Sequence, residues 1–251
     1  MKSLLETMFG AIIGVMVIMM SISLTDAVVA TSINGATDMA QDNSVRLATG
    51  EMQLHLRNAS RVLASATVSG TVYNTGPTTL VVAAPAFNAG NSSYFINGQD
   101  DTIIFTYDAT NQEIRETIVA SGGTARPQRT LFTIGRSVTD ITFTYNCRQA
   151  FTATVTGSST TYTLATLPVA ASVKAYVNGT LKATAVANSV VTLTDTVTAN
   201  DLVQVFYIPQ TFSASAPVTE VTFTIQQSSR GARAERTTTA QGSARLRNYR
   251  N

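Results

Sequence analysis

The sequence has one cysteine, one histidine and no tryptophan among its 251 residues. The single Cys147 excludes an intrachain disulfide framework and any multi-cysteine zinc or iron–sulfur site. The single His55 excludes metal sites built on a histidine pair and most histidine-based hydrolytic centres. Charged residues are also scarce, at 13% against the ~25% typical of a soluble domain, and the net charge is only +2. These absences exclude a charge-rich disordered chain, a coiled coil and a histone-like polycation. We expect no catalytic residues, no cofactor and no metal.

Charge is absent altogether from residues 7–24, T-M-F-G-A-I-I-G-V-M-V-I-M-M-S-I-S-L. Eighteen such residues are close to the length that an α-helix needs to cross a bilayer. The alternative is a cleavable secretory signal, with Lys2 as its basic region and Val28-Val29-Ala30 as its cleavage site. The side chains predicted to lie in the membrane are Phe9, Ile12, Ile13, Val15, Val17, Ile18, Ile22 and Leu24.

Glu6 stands at the mouth of this apolar run, where a signal peptide normally carries basic residues. A carboxylate near hydrocarbon costs up to about 3 kcal/mol unless a cation pairs with it. Beyond residue 24, apolar side chains recur three to four residues apart as far as Ala66, which predicts one very long helix. Its first half is apolar all round and its second half is amphipathic, with Gly35 and Gly50 as the places for bends or melted turns.

The segment 2–19, K-S-L-L-E-T-M-F-G-A-I-I-G-V-M-V-I-M, resembles the N-terminal segment of type IV pilins and type II secretion pseudopilins. Glu6 falls on the glutamate of that family, which by this resemblance pairs with the N-terminal ammonium of a neighbouring subunit in the filament. The sequence departs from the family pattern at Met1, where the family has Gly, and at Lys2, where Phe is usual. No short basic leader precedes the motif, so either a leader is missing from this chain or processing does not happen.

After Ala66 the pattern changes to two-residue alternation, which is typical of antiparallel strands. The fold class predicted is α+β and pilin-like, with one long N-terminal helix packed on an antiparallel sheet. This arrangement resembles the heads of the larger J- or W-type minor pilins and pseudopilins, which end in a short arginine-containing strand. The predicted strands are 78–83, 102–107, 113–119, 129–134, 138–145, 218–225 and the terminal strand 243–248.

Residues 150–213 differ in character and are predicted to be an inserted β-sandwich-like module. Its predicted strands are 160–164, 172–177, 180–184, 189–193 and 202–208, and Asn178-Gly179 is a strong type I′ hairpin signal. The module resembles small β modules of phage tail and cell-surface proteins, and both a spacer and an adhesive, ligand-binding role stay open. The predicted division is therefore 1–30 for the membrane and filament-core half-helix, 31–66 for the amphipathic half, 67–149 plus 214–251 for the head, and 150–213 for the insert.

For three further groups of residues, a catalytic, metal-binding or disulfide role has to be weighed against a purely structural one. We expect His55 to be an exposed helical histidine near Glu51 rather than a catalytic base. Asp100, Asp101 and Asp108 are expected in solvated turns, because their spacing lacks the alternating oxygen ligands of a calcium loop. Cys147 is expected to be a buried or idle thiol, with an intermolecular disulfide as the alternative.

The one strong charge cluster is basic and lies near the end of the chain. It could bind an anionic partner such as DNA phosphates, but a β edge kept soluble by its charges is favoured. Its residues are Arg230, Arg233, Arg236, Arg245, Arg247 and Arg250.

The leading hypothesis is a structural, non-enzymatic subunit of a pilus-like or pseudopilus filament, assembled through its helix. The partners expected are other pilin subunits, the inner-membrane assembly machinery, membrane lipid before assembly and a surface ligand of the insert; DNA is less favoured. The location expected is the bacterial inner membrane, then an extracellular filament or periplasmic pseudopilus. The runner-up is a membrane-anchored or secreted adhesin with no filament role, and a hydrolase is the least favoured class.

Overall fold

The structure is a computed structural model, and it describes residues 2–86, 100–121, 129–157, 160–230 and 235–247. Within these ranges, the side chains of 2–12, 34, 37–38, 41, 129–136, 229–230 and 235–236 lie outside the description. One helix opens the chain and short antiparallel strands follow it. The elements are α1 (Lys2–Asn58), β1 (Arg61–Val62), β2 (Ser65–Val68), β3 (Thr71–Asn74), β4 (Thr79–Pro85), β5 (Asp100–Asp108), β6 (Glu113–Val119), β7 (Arg129–Arg136), β8 (Val138–Thr152), β9 (Thr160–Thr163), β10 (Lys174–Val177), β11 (Thr180–Lys182), β12 (Thr184–Ala187), β13 (Val190–Leu193), β14 (Leu202–Tyr207), β15 (Val218–Arg230) and β16 (Glu235–Arg245).

The prediction of an α+β, pilin-like fold is wrong, because the chain is mostly β, with 50% strand and 23% helix. The predicted amphipathic half of the helix buries far less than expected. Its fully docked side chains are Val45, Ala48, Met52 and Leu56, spaced three to four residues apart on one face of the last turns. The strands provide most of the buried apolar surface, so a helix on one sheet does not describe the architecture.

The helix also ends eight residues earlier than predicted, at Asn58 instead of Ala66. The next backbone groups bond to a strand: the Ser60 amide donates to the Ala83 carbonyl at 2.7 Å, and β1 pairs with β4. A β2–β3 hairpin follows, with its turn at Ser69 and Gly70, whose φ angles are 49° and 83°. In the sequence 67–72, T-V-S-G-T-V, the Ser-Gly pair between two short β-type runs is typical of a hairpin turn. The helical spacing of apolar residues up to Ala66 led to a different prediction for its first strand.

Two large antiparallel sheets organise the described strands. A five-stranded sheet has the order β1-β4-β5-β6-β7, and a six-stranded sheet has the order β11-β10-β14-β8-β15-β16. Smaller sheets are formed by β12-β13-β9 and by β2-β3. The strands on either side of the insert, β8 and β15, are neighbours in the six-stranded sheet, where Val221 lies opposite Tyr145.

The main core lies where α1 meets the two large sheets. Its largest fully buried side chains include Met52 and Leu56 from the helix, Phe105 from the five-stranded sheet and Phe223 from the six-stranded sheet. A separate second core lies within the insert and gathers Val173, Ala175, Val177, Leu193, Val203, Val205 and Tyr207 among others.

The strands predicted for the insert are confirmed in outline, with one addition. The single strand predicted at 180–184 is replaced by two strands, β11 and β12, which belong to different sheets. Asn178 and Gly179 have φ of 48° and 84°, as the type I′ turn requires. The sheet is continuous across the predicted boundary, because residues 147–152 of β8 pair with β14. The division into domains stays a prediction.

Candidate functional site

The N-terminal part of α1 is exposed although it is apolar. Residues Ile13–Ile33 form a helical segment long and apolar enough to cross a membrane, and none of it is buried. At 1.5 Å per residue these 21 residues extend about 31 Å, close to the ~30 Å hydrocarbon thickness of a bilayer. By length and composition this segment could be a membrane anchor or a signal sequence.

The predicted membrane-facing side chains that the structure describes all point into solvent. Glu6, Phe9 and Ile12 belong to α1, but their side chains lie outside the described residues. The exposed fractions of the others are 58% for Ile13, 53% for Val15, 57% for Val17, 60% for Ile18, 56% for Ile22 and 68% for Leu24.

Exposed apolar side chains continue past the predicted membrane segment. Met39 and Leu47 are each 71% exposed and Leu54 is 59% exposed. Leu47 and Leu54 are seven residues apart, which places them on one stripe of the helix, away from the stripe that contacts the main core. The second half of α1 therefore has an uncovered apolar face that its amphipathic pattern did not indicate.

His55 is buried, so the prediction of an exposed helical histidine is wrong. Only 8% of the residue is exposed, and its Nε2 lies 3.0 Å from Oε1 of Glu116, which is 0% exposed. Its ring also packs at a tilt against Phe105, with centroids 6.2 Å apart. The alternation E-I-R-E-T-I-V on β6 was the missed signal, because it puts Glu116 on the same inward face as Ile114 and Ile118.

Glu51, His55 and Glu116 could in principle hold a metal ion, because one potential ligand atom from each lies within 4.8 Å of the others. The 3.0 Å contact between His55 Nε2 and Glu116 Oε1 is already a hydrogen-bond distance. Glu51 is farther away, with Oε1 3.9 Å from Nε2, and its side chain is 33% exposed. We therefore interpret the pair as a structural link between α1 and β6.

The three aspartates have separate roles. Asp108 closes the β5–β6 turn by accepting hydrogen bonds from the Thr110 and Asn111 amides, at 3.0 and 3.1 Å, and from the Asn111 side chain. The hydrogen bond from the Asn111 side chain has the largest effect on the pKa of Asp108 and lowers it, and the bond from the Asn111 amide lowers it further. Asp101 is buried, not in a solvated turn as predicted, and accepts from the Ser121 amide at 3.0 Å. Asp100 and Asp108 are at opposite ends of β5, so the strand keeps them apart.

Cys147 is buried, with 1% exposure, as predicted. Burial raises the pKa of its thiol to about 12, so the reactive thiolate is absent at neutral pH. This environment favours an inert thiol over the intermolecular disulfide.

The described part of the arginine cluster consists of two side chains. Arg245 is exposed on β16 opposite Glu220, and Arg247 is exposed just beyond it, with its amide bonded to the Ala59 carbonyl. Arg230 and Arg236 have described backbone only, and Arg233 and Arg250 lie outside the described residues. The anion-binding patch stays a prediction.

The insert contains a feature that the strand pattern did not reveal: a groove of ≈ 450 Å³ on the outer face of β10 and β14. Tyr176 and Phe206 meet edge to face there, with ring centroids 5.6 Å apart and planes at 87°. Alternation along both strands produces it, because Ala175, Val203 and Val205 point to the second core. We name it the aromatic groove; it is lined by Lys174, Tyr176, Gly179, Gln204 and Phe206.

No family model matches the chain, and no curated protein matches it. Among solved structures, a chain matches from the structure described as "Complete structure of manganese lipoxygenase of Gaeumannomyces graminis and partial structure of zonadhesin of Komagataella pastoris". The sequences are 12% identical, the match covers 74% of this chain and 79% of that chain, and the TM-score is 0.14. So low a TM-score carries no argument about fold or function.

Proposed function

We propose that this chain is a structural subunit of a type IV pilus-like or type II secretion pseudopilus filament, anchored in the bacterial inner membrane before assembly. The observation that carries the proposal is the exposed apolar segment Ile13–Ile33, which continues without a break into a helix end docked in the main core. Such a helix connects a membrane or a filament interior rigidly to a folded head.

The energetics of the exposed segment support this proposal. Covering a large apolar side chain contributes roughly 1.5–3 kcal/mol relative to leaving it in water. Ile13, Ile18 and Leu24 are among the many side chains of this segment that are more than half exposed. Lipid covers them before assembly, and the helices of neighbouring subunits cover them in a filament.

Glu6 is the residue that distinguishes a filament subunit from a protein that is only anchored in the membrane. A carboxylate at the edge of hydrocarbon is stabilised by a nearby cation, and by resemblance to the pilins that cation is a neighbour's N-terminal ammonium. The proposal depends on α1 and Glu6 and not on the mostly β fold that follows.

The test separates insertion from assembly in cells that express the full chain together with its assembly machinery. Glu6→Leu should leave the chain in the membrane fraction, or increase it there, while sheared-filament yield falls. Asp42→Leu is the matched control, because it removes an exposed carboxylate from the same helix outside Ile13–Ile33 and should leave filament yield unchanged. Equal filament yield from Glu6→Leu and the unmodified chain would overturn the assembly role.

A second candidate function is a membrane-anchored or secreted binding protein with no filament role. The aromatic groove favours it, since filament assembly through α1 does not use this face of the insert. Mass spectrometry of the protein recovered from cells distinguishes the secreted form. A mature N-terminus at Thr31 would support it and eliminate the filament proposal.

A further inference from the structure

The aromatic groove combines an apolar floor with polar groups at its sides. Phe206 is 37% exposed, although an aromatic ring on a sheet face is normally covered. Cross-strand register places Lys174 opposite Phe206 and Tyr176 opposite Gln204. The exposed Leu181 of β11 lies opposite Tyr176 and extends the apolar surface toward the sheet edge.

The charge of the groove is positive. Arg148, opposite Phe206 on β8, holds its guanidinium carbon 5.7 Å from the centre of that ring, which stabilises the ring and adds a second cation beside Lys174. Lys174 is exposed and makes no ion pair with a carboxylate among the described residues. The nearby Lys182, by contrast, lies 3.6 Å from Asp195. The lining residues include no aspartate or glutamate.

We propose that the aromatic groove binds an acidic polysaccharide, a chain of sugar units that carry carboxylates. Because the planes of Tyr176 and Phe206 are at 87°, the C–H face of a sugar ring would stack on one of these rings and contact the other at its edge. A carboxylate would accept from Lys174, and hydroxyl groups would exchange hydrogen bonds with the Gln204 amide. The inference deepens the second candidate function and does not depend on polymerisation.

The shape of the groove favours an acidic polysaccharide over a small ligand and over an acidic peptide. Small ligands are usually buried in enclosed cavities, whereas this groove is open to solvent, so that an extended chain could lie across it. An acidic peptide would bind most readily by adding a strand to the sheet edge. That edge, β11, offers only three residues, Thr180–Lys182.

The experiment uses the full chain in a polyoxyethylene detergent, because detergents with sugar headgroups could compete for the site. A fluorescently labelled octamer of galacturonic acid is the probe, and its anisotropy reports binding. The fully methyl-esterified octamer has the same rings without the charge, and poly-L-glutamate has the charge without the rings. We expect saturable binding of the acid octamer, about ten-fold weaker binding of the ester, and weaker binding of poly-L-glutamate.

Variants assign the binding to the groove. Lys174→Gln should weaken binding of the acid octamer about ten-fold and leave binding of the ester unchanged. Phe206→Ala should weaken binding of both octamers, and Gln204→Ala provides the same test with a smaller change if Phe206→Ala does not fold. Lys182→Gln is the matched control on the neighbouring strand and should bind as the unmodified chain does.

Three results would overturn the proposal. They are equal binding of acid and ester, equal weakening by Lys174→Gln and Lys182→Gln, and binding of poly-L-glutamate as tight as that of the octamer. The last result would indicate an acidic peptide or a non-specific charge effect. None of them bears on the filament test, which measures sheared filaments from Glu6 variants.

Discussion

The main core and the second core lie along the same strand, β8, yet they bury different kinds of side chain. The main core contains large aromatic rings and, beside them, the buried pair His55 and Glu116. The second core is built mostly from valine and alanine, with Tyr162 and Tyr207 as its buried aromatic rings, and it contains no buried charged residue within the described ranges. A continuous hydrogen-bond ladder therefore does not imply a uniform core.

The difference follows from what each core has to position. The main core receives a helix, and a helix with an apolar face alone can shift along a sheet with little change in buried area. The polar contact between His55 Nε2 and Glu116 Oε1 is short, at 3.0 Å, and a shift by one turn would separate its atoms by about 5 Å. We expect the polar pair to fix the helix in one position, while pairing between strands already fixes the register in the second core.

Deleting the second core is the largest change that tests whether the two cores are independent. Val218 lies opposite Cys147, so β8 and β15 could be joined there by a tight Asn-Gly turn in place of residues 148–217. We expect the remaining chain to keep one cooperative urea transition, helped by about 0.6 kcal/mol for each halving of the connection. The deletion would uncover Cys147, which is buried in the full chain, so this residue would be changed to Thr in the shortened chain and in the full-length reference. A non-cooperative, aggregating product would show that the two cores fold only together.

The next largest effect should come from His55→Leu, which removes the histidine partner from the fully buried Glu116 carboxylate. Removing one partner of a buried polar contact costs about 1–3 kcal/mol of unfolding free energy, and more where the remaining group is charged. The double variant His55→Leu, Glu116→Leu should recover part of that loss, because no buried polar group of the pair is left. Glu51→Gln is the control, and we expect a change below about 1 kcal/mol for this partly exposed residue. Additive losses in the double variant would contradict the coupling.

A smaller effect is expected where the two long strands of the main core meet most tightly. A Cβ added at Gly242 would lie 2.3 Å from Cζ of Phe223, on the opposite strand. Gly242→Ala should therefore lower the unfolding free energy by about 1–3 kcal/mol. Gly50→Ala is the matched control, since a Cβ there meets nothing within 4 Å and removes a helix-weakening glycine. Adding Phe223→Leu to Gly242→Ala should restore part of the loss, and no restoration would contradict the steric explanation.

Local signals in the sequence predicted most strands correctly. The alternation on β6 gives its bounds, 113–119, as the structure has them, and Asn178-Gly179 forms the expected turn. Two-residue alternation works on strands such as β8, where Ile141, Phe143 and Tyr145 face the main core and the residues between them are more exposed.

The errors came from tertiary contacts. Helical spacing predicted the helix to Ala66, but the backbone from Ser60 onward bonds to β4, which is distant in sequence. The same limitation hid the burial of His55, because that side of α1 is covered by Glu116 of β6 and Phe105 of β5, which are distant in sequence. The aromatic groove required knowledge that β10 and β14 are neighbours, although 24 residues separate them along the chain.

The smallest expected effect concerns the second core at high pH. Burial raises the pKa of Cys147 from its ordinary 9.0 to about 12. Between these values the unfolded chain loses the thiol proton while the folded chain keeps it, so this contribution to stability is complete below pH 9 and is lost as the pH rises. At pH 10 the loss should be about 1.4 kcal/mol relative to neutral pH. Cys147→Ala should flatten the fall in unfolding free energy between pH 8 and pH 10 by about that amount, and Tyr145, whose pKa burial also raises, leaves a background common to both chains. The pKa of Tyr207 is raised first by burial and also by Cys147, so the substitution removes that smaller contribution together with the thiol. If both chains lose stability equally over this range, the thiol does not contribute and the second core excludes water less well than its burial indicates.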